Sequence, residues 1–221
     1  MRPINFSSPL FLINVISVIL PKLILSDEAL EGMRVPSLTR LVTYDKLSLD
    51  KVVDLVRVGG AVSVAGYGIV VVNVSFCNLE DICNSWYQPQ VDPAQVLHQL
   101  SAINQAVRMS NPNVVLCFSG VIPPCQYYVN WRETLIGYMG LLQTYAASSY
   151  DCCFFVDILK HVASDYMCHF NLFDSKLKLN RKGMTLIENA FRQAFSYEFL
   201  LEQAYSRKNR DACIRLPHGV V

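Results

Sequence analysis

Short apolar segments rich in β-branched residues alternate along the chain with longer amphipathic segments. Five of the short segments predict strands, at 22–26, 38–44, 68–75, 114–120 and 152–158. The third and fourth contain nearly continuous apolar runs, which are typical of central strands covered on both faces. Strands separated by helix-length connections are typical of a parallel sheet. The pattern therefore predicts an α/β fold, a three-layer α/β/α sandwich around a five-stranded parallel sheet.

The connections predict four helices, at 49–58, from 93 to 109, within 130–147 and within 181–205. Ser48, Asp92 and Asn180 are the predicted N-caps, because a short polar side chain accepts a hydrogen bond from a free N–H in the first turn. Pro93 suits the first helical position. Apolar residues at helical spacing predict the buried faces of the second and the last helix. They are Val96, Leu100, Ile103 and Val107, and Met184, Ile187, Phe191, Ala194 and Phe195.

The composition indicates one folded domain, since 52% of the 221 residues are hydrophobic and 17% are charged. It excludes intrinsic disorder and a uniformly basic chain. We divide the chain into an N-terminal extension, 1–21, a domain, 22–206, and a basic tail, 207–221. The extension holds an apolar run, Leu10 to Leu20, that is too short to cross a bilayer. It predicts a buried helix or strand, with a signal peptide as the alternative, and no membrane partner is expected.

The cysteines favour a reducing, cytoplasmic environment. Cys117 and the pair Cys152-Cys153 lie in predicted strands buried on both faces, where a free cysteine behaves as a small apolar residue. No two cysteines have the Cys-x-x-Cys spacing of a zinc or redox site. We expect no metal and no cofactor.

The net charge of +1 conceals a basic C-terminal quarter. Residues 176–221 contain nine basic and four acidic side chains. Such a segment can present a positive patch to a polyanion. A solvated helix surface is the alternative interpretation.

Four segments, in order along the chain, resemble the sequence blocks of the SGNH (GDSL) hydrolases. Segment 23–30, LILSDEAL, resembles the first block, in which a strand ends in Gly-Asp-Ser-x-Leu. Segment 70–79, VVVNVSFCNL, resembles the third block, and segment 114–123 resembles the strand and loop that follow it. Segment 177–183, LKLNRKG, resembles the last block. The resemblance implies the strand order 2-1-3-4-5.

The residues that this resemblance would make catalytic are replaced. Glu28 stands at the position of the nucleophilic serine, Lys178 at that of the histidine base and Ser175 at that of its aspartate partner. Cys77 stands at the position of the oxyanion asparagine, no glycine occurs in 33–58 for the second oxyanion position, and Asp27 is kept. Acyl transfer needs an activated nucleophile and oxyanion donors. We therefore expect no catalytic residues and no enzymatic activity, with Glu28 and Lys178 forming an ion pair. A divergent esterase that uses Asp27, Glu28 or Cys77 is the alternative.

An SGNH-like fold without these residues resembles RNA-binding domains of this fold that act in germ plasm. We therefore predict an RNA-binding module, with single-stranded RNA or mRNA as partner; a scaffold that binds only proteins is the other alternative. The helix at 49–58 and the C-terminal region are expected to lie on one side of the sheet and to form one basic surface. Its predicted residues are Lys51, Arg57, Lys178, Arg181, Lys182, Arg192, Arg207, Lys208, Arg210 and Arg215.

Overall fold

The predicted α/β sandwich and its strand order are confirmed. The computed structural model describes residues 21–74, 91–122, 128–149, 153–164, 167–174 and 178–196. The strands are β1 (Lys22–Asp27), β2 (Thr39–Tyr44), β3 (Ile69–Val72), β4 (Val115–Ser119) and β5 (Cys153–Val156). They form one sheet in the order β2-β1-β3-β4-β5, and every neighbouring pair is parallel. A short antiparallel hairpin, β6 (Ala163–Ser164) and β7 (Met167–Cys168), follows the sheet and was not predicted.

The four helices begin at the predicted caps where the structure describes them. They are α1 (Leu49–Val56), α2 (Pro93–Ser110), α3 (Tyr128–Ser148) and α4 (Arg181–Ala194). Ser48 accepts from the N–H of Lys51, Asp92 from that of Ala94, and Asn180 from those of Lys182 and Gly183. Helix α4 ends at Ala194, so the buried Phe195 is the residue that follows the helix and not part of its last turn. Residues 197–205 of the predicted stretch lie outside the described residues.

The helices cover the two faces of the sheet unequally. Right-handed crossovers from β2 to β3, from β3 to β4 and from β4 to β5 place α1, α2 and α3 on one face. In agreement, α2 contacts both α1 and α3. Helix α4 instead contacts the 3₁₀ turns Leu159–His161 and Phe170–Leu172, and it covers the opposite face.

The direction of α4 relative to the strands follows from what lies beside each of its ends. The Nζ atom of Lys22, at the start of β1, lies 5.9 Å from the centroid of the Phe195 ring, which follows the end of α4. The first turns of α4 share a groove with Gly32 and Arg34, which follow the end of β1. Helix α4 therefore runs antiparallel to β1. Its N-terminus lies at the edge of the sheet where the strands end, which is where open α/β sheets bind ligands.

The core confirms the predicted burial pattern. All residues of β1, β3 and β4 are buried. The predicted apolar face of α2 is buried, and so is that of α4 except for Met184, which is half-buried. Cys117 and Cys153 are buried and belong to no disulfide, as expected, whereas Cys152 lies outside the described residues.

Every strand differs from its predicted range at one end or both, and two of these ends show local detail. Strand β2 begins at Thr39 because Leu38 has a φ of 60°, in the left-handed region that a strand does not use. Strand β3 ends at Val72, although the N–H of Asn73 still donates to the Leu25 carbonyl at 2.8 Å.

The described part of the chain contains no helix that is both long and apolar enough to cross a membrane.

Candidate active site at the carboxyl edge of the sheet

The turn after β1 presents two carboxylates at the edge where the strands end. Asp27, 5% exposed, caps the 3₁₀ turn Glu28–Leu30, since its Oδ1 atom accepts from the N–H of Ala29 at 3.1 Å. Glu28 follows and is half-buried. Its Oε2 atom accepts from the backbone N–H of Lys46 at 3.1 Å. One carboxylate thus shapes the turn, and the other is held at the rim of the sheet.

Lys46 supplies a backbone donor at a position where the sequence offers no glycine. It lies in the loop after β2 with a φ of 47°, in the left-handed region that favours glycine. Its N–H points at the carboxylate of Glu28. A backbone N–H is therefore present beside Glu28 although 33–58 contains no glycine. The role of Lys46 was not predicted from the sequence, because almost every residue type carries the same backbone N–H.

A buried network of hydrogen bonds lies beneath this turn and joins three strands. The Ser26 hydroxyl donates to the Oδ1 atom of Asn73 at 2.8 Å. The Nδ2 group of Asn73 donates to the Ser119 hydroxyl at 2.8 Å and to the Gly120 carbonyl at 2.7 Å. Ser26 is 0% exposed and Asn73 is 1% exposed. Ser26, the serine nearest to Glu28, is thus buried and hydrogen-bonded, so its hydroxyl does not face a substrate.

The loop before α4 is closed by its own backbone. Asp174 and Lys178 pair through the N–H of Asp174 and the carbonyl of Lys178, at 2.8 Å. The Oδ1 atom of Asp174 also accepts from the N–H of Lys178 at 3.0 Å. Asp174 is one residue before Ser175, the position that the resemblance aligned with aspartate, and sequence reasoning passed over it. Ser175 and Cys77 lie outside the described residues.

The expected ion pair between Glu28 and Lys178 does not form. An ion pair instead joins Arg57 to Asp54, at 3.3 Å. Glu28 instead binds the backbone of Lys46, and the side chain of Lys178 is exposed. The site is therefore not closed by a salt bridge.

The predicted basic residues that the structure describes belong to two different layers of the fold. Lys51 and Arg57 belong to α1 and its C-cap, whereas Arg181, Lys182 and Arg192 belong to α4, in the layer on the other face of the sheet. The described members of the two groups do not merge, because the helix at 49–58 follows β2 and not β1. It therefore lies with α2 and α3. Lys178 precedes α4 and lies near its start. Arg207, Lys208, Arg210 and Arg215 lie outside the described residues.

Solved structures with a similar fold come from several enzymes. No protein-family model matches the sequence, and no curated protein matches it. The lipase Lip_vut3 from a goat rumen metagenome superposes with a TM-score of 0.59 at 9% identity, covering 79% of this chain and 97% of that one. A family 3 carbohydrate esterase from Clostridium thermocellum gives 0.56 at 12% identity, covering 83% and 98%. A family 3 carbohydrate esterase from Talaromyces cellulolyticus gives 0.54 at 11%, covering 82% and 99%.

These comparisons contradict the expectation that the chain is not an enzyme. Similar structures include a lipase and carbohydrate esterases, so the fold is one on which ester hydrolysis takes place. At 9 to 12% identity, the likeness establishes the fold and leaves the chemistry to the residues of the site. The chain has an SGNH-hydrolase-like fold.

Proposed function

We propose that this protein is a divergent ester hydrolase whose reaction centre is the carboxylate of Glu28. The observation that carries the proposal is the hydrogen bond from the Lys46 N–H to Glu28 Oε2, which fixes a half-exposed carboxylate at the carboxyl edge of the sheet. Ligands of open α/β sheets bind at this edge. The similarity in fold to a lipase and to carbohydrate esterases supports the reaction class.

The chemistry would be general-base catalysis of water attack. With Oε2 held by Lys46, the Oε1 atom of Glu28 accepts a proton from a water molecule as that water attacks the ester carbonyl carbon. The bond from the carbonyl carbon to the alcohol oxygen then breaks. The proton on Glu28 passes to the departing alcohol oxygen, which leaves a carboxylic acid and an alcohol and regenerates the carboxylate. Asp27 acts as a positioning residue, since it holds the turn through the N–H of Ala29.

The test compares the hydrolysis of 4-nitrophenyl acetate and 4-nitrophenyl butyrate by the parent and by a Glu28→Gln variant. Glutamine keeps the size and the hydrogen-bond acceptor of Glu28 but does not take up the proton. We expect kcat/KM to fall by about 100-fold, the usual scale of a lost general base. Glu31→Gln is the matched control, because Glu31 is an exposed glutamate three residues further on. We expect it to retain the parent rate.

Two results would overturn this assignment. One is a parent that hydrolyses both esters no faster than Glu28→Gln. The other is a loss of activity in Cys77→Ser with activity retained in Glu28→Gln, which would move the reaction centre to the cysteine.

We also propose that the start of α4 binds single-stranded RNA, as a second function. Lys178, Arg181 and Lys182 are exposed, and within the described part of the chain none of them is in an ion pair. By contrast, Arg57 is paired with Asp54, and Lys51 Nζ donates to the Asp45 carbonyl at 2.8 Å. Unpaired cations close together are suited to bind phosphates. The contacts therefore favour the α4 group over the α1 group.

Two double variants with the same change in charge test this second function. Retention of a single-stranded RNA at about 50 mM salt, where phosphate contacts are strong, is expected to be lost in R181E/K182E. We expect it to be kept in K51E/R57E. Equal retention by both variants across a salt titration would contradict the proposal, and so would a parent that retains no RNA.

A further inference from the structure

A groove of about 300 Å³ separates the segment after the Glu28 turn from the first two turns of α4. Gly32 and Arg34 form one wall, and Asn180, Arg181, Met184 and Glu188 lie along the other. The volume is at the lower end of the roughly 300–1,000 Å³ typical of small-molecule sites. The groove is therefore large enough for a small ligand or for one end of a larger one.

One hydrogen bond fixes the two walls against each other. The backbone N–H of Arg34 donates to the Oε1 atom of Glu188 at 2.7 Å. Glu188 lies seven residues after Arg181, which is about 10 Å along the helix axis. We call the end of the groove near the carboxyl edge of the sheet its upper end, and Arg181 lies there. The bond to Glu188 anchors the opposite, lower end.

The charges along the groove favour an anion. Two exposed arginines, Arg34 and Arg181, line it from separate segments of the chain. In the described ranges, neither is in an ion pair. The carboxylate of Glu188 is the one acidic group in the lining, and it already accepts the Arg34 N–H. Lys178 and Lys182 are exposed at the upper end and add positive charge.

The arginines, and not the helix terminus, provide the binding groups. The N–H groups of Lys182 and Gly183, in the first turn of α4, already donate to the Asn180 side chain, at 2.9 and 3.1 Å. These two N–H groups are therefore not available to a ligand. A guanidinium presents two parallel N–H donors that match the oxygens of a carboxylate or a phosphate. Leu179 and Met184 give the groove an apolar part beside them.

We propose that this groove binds the anionic end of the substrate, so that the preferred substrates are esters carrying a carboxylate or a phosphate. The inference rests on the proposed ester hydrolysis at Glu28. Arg34 follows Glu28 by six residues along the same crossover, and Arg181 follows Lys178 at the carboxyl edge of the sheet. An ester held by its charged end at Arg34 and Arg181 extends from the groove toward that edge.

The first arm of the experiment measures binding without catalysis. We expect inorganic phosphate at about 10 mM to raise the thermal unfolding midpoint of the full-length parent, because a ligand that binds the folded state stabilises it. The double variant R34Q/R181Q is expected to lose that rise. R40Q is the matched control, because Arg40 is an exposed arginine on β2, and we expect it to keep the rise.

The second arm compares two substrates, mono(4-nitrophenyl) glutarate and neutral 4-nitrophenyl butyrate. We expect the parent to prefer the glutarate by about tenfold in kcat/KM, the value of one charge-assisted contact. The preference should vanish in R34Q/R181Q and persist in R40Q.

The two proposals fail in distinguishable ways. A phosphate effect that depends on the two arginines, without hydrolysis of either ester, supports the groove and overturns the hydrolase. Hydrolysis with no preference for the anionic ester, and no phosphate effect in the parent, overturns the groove and leaves the hydrolase in place. A phosphate effect equal in the parent and in R34Q/R181Q also overturns the groove.

Discussion

At the scale of single residues, Asn73 shows how one buried amide organises the edge of a sheet. Its side chain uses its carbonyl oxygen for Ser26 and its amino group for Ser119 and Gly120. These partners come from the ends of β1 and β4, on either side of β3. Both polar groups of this side chain are thus hydrogen-bonded. The network they form lies beneath the turn that bears Glu28.

We expect Asn73→Ala to lower the free energy of unfolding by about 2–4 kcal/mol. The change leaves two buried hydroxyls and one carbonyl without this partner, at a cost of about 1–3 kcal/mol for each group left unsatisfied, and partial relaxation reduces the sum. Urea unfolding measures the effect. Asn113→Ala, at an exposed position, should stay within about 0.5 kcal/mol of the parent. A loss below about 1 kcal/mol in Asn73→Ala would show that water or rearrangement replaces the network.

His161 provides a test based on pH. Burial, together with the charge of Lys160, lowers the pKa of His161 below its ordinary value of 6.5, and Asp157 opposes this shift. The unfolded chain therefore binds more protons than the folded chain between the lowered value and 6.5. This contribution to stability is fully present above 6.5 and decreases as the pH falls through that window.

We expect His161→Gln to reduce the loss of stability between about pH 7 and pH 5. Urea midpoints measured across that range give the slope. His98→Gln is the control, because His98 is exposed on α2, and its slope should equal that of the parent. A slope in His161→Gln equal to that of the parent would show that other groups cause the acid sensitivity.

At the scale of elements, the start of α4 is fitted closely to the loop before it. Asn180 caps the helix through its Oδ1 atom, and its Nδ2 group donates to the carbonyls of Asn171 and Phe173. Gly183 is buried against the same loop. A Cβ atom on Gly183 would lie 2.5 Å from the Leu172 carbonyl oxygen, closer than such atoms approach. The glycine is therefore required by a close contact and not by its φ angle.

A pair of glycine substitutions separates helix propensity from this contact. Alanine in a helix interior gains about 1 kcal/mol over glycine, but overpacking costs about 1–3 kcal/mol. We expect Gly183→Ala to lower the free energy of unfolding. Gly137→Ala, in α3, should raise it by about 0.5–1 kcal/mol, because nothing lies within 4 Å of the added Cβ atom. Thermal or urea unfolding decides, and stabilisation by both changes would contradict the close fit of α4.

At the scale of the whole molecule, helices on both faces enclose the centre of the sheet. Cys117 is 2% exposed and Cys153 is 0% exposed, and they lie on the neighbouring strands β4 and β5. Core strands open to solvent mainly through global unfolding. We expect iodoacetamide to modify neither cysteine in the native protein and to modify both in concentrated urea, as peptide mass spectrometry would show. Modification of either one at the native rate of an exposed thiol would contradict the layered arrangement.

Features that depend on near neighbours in the chain were predictable from the sequence alone. The alternation of apolar strands with capped helices predicted the α/β sandwich, and the polar residues Ser48, Asp92 and Asn180 marked the helix starts. Burial of Cys117 and Cys153 followed from the apolar runs around them. These features were readable because strand burial, helix periodicity and capping act over a few residues.

Features that depend on residues far apart in the chain were decided only by the tertiary structure. Ser26, Asn73 and Ser119 meet because β1, β3 and β4 are neighbours in the sheet. Lys46 reaches Glu28 through a backbone N–H, whose position depends on a loop conformation and not on residue type. The layers of α1 and α4 follow from the direction of each crossover. The sequence therefore determined which elements form, whereas the arrangement of those elements decided which polar groups face one another.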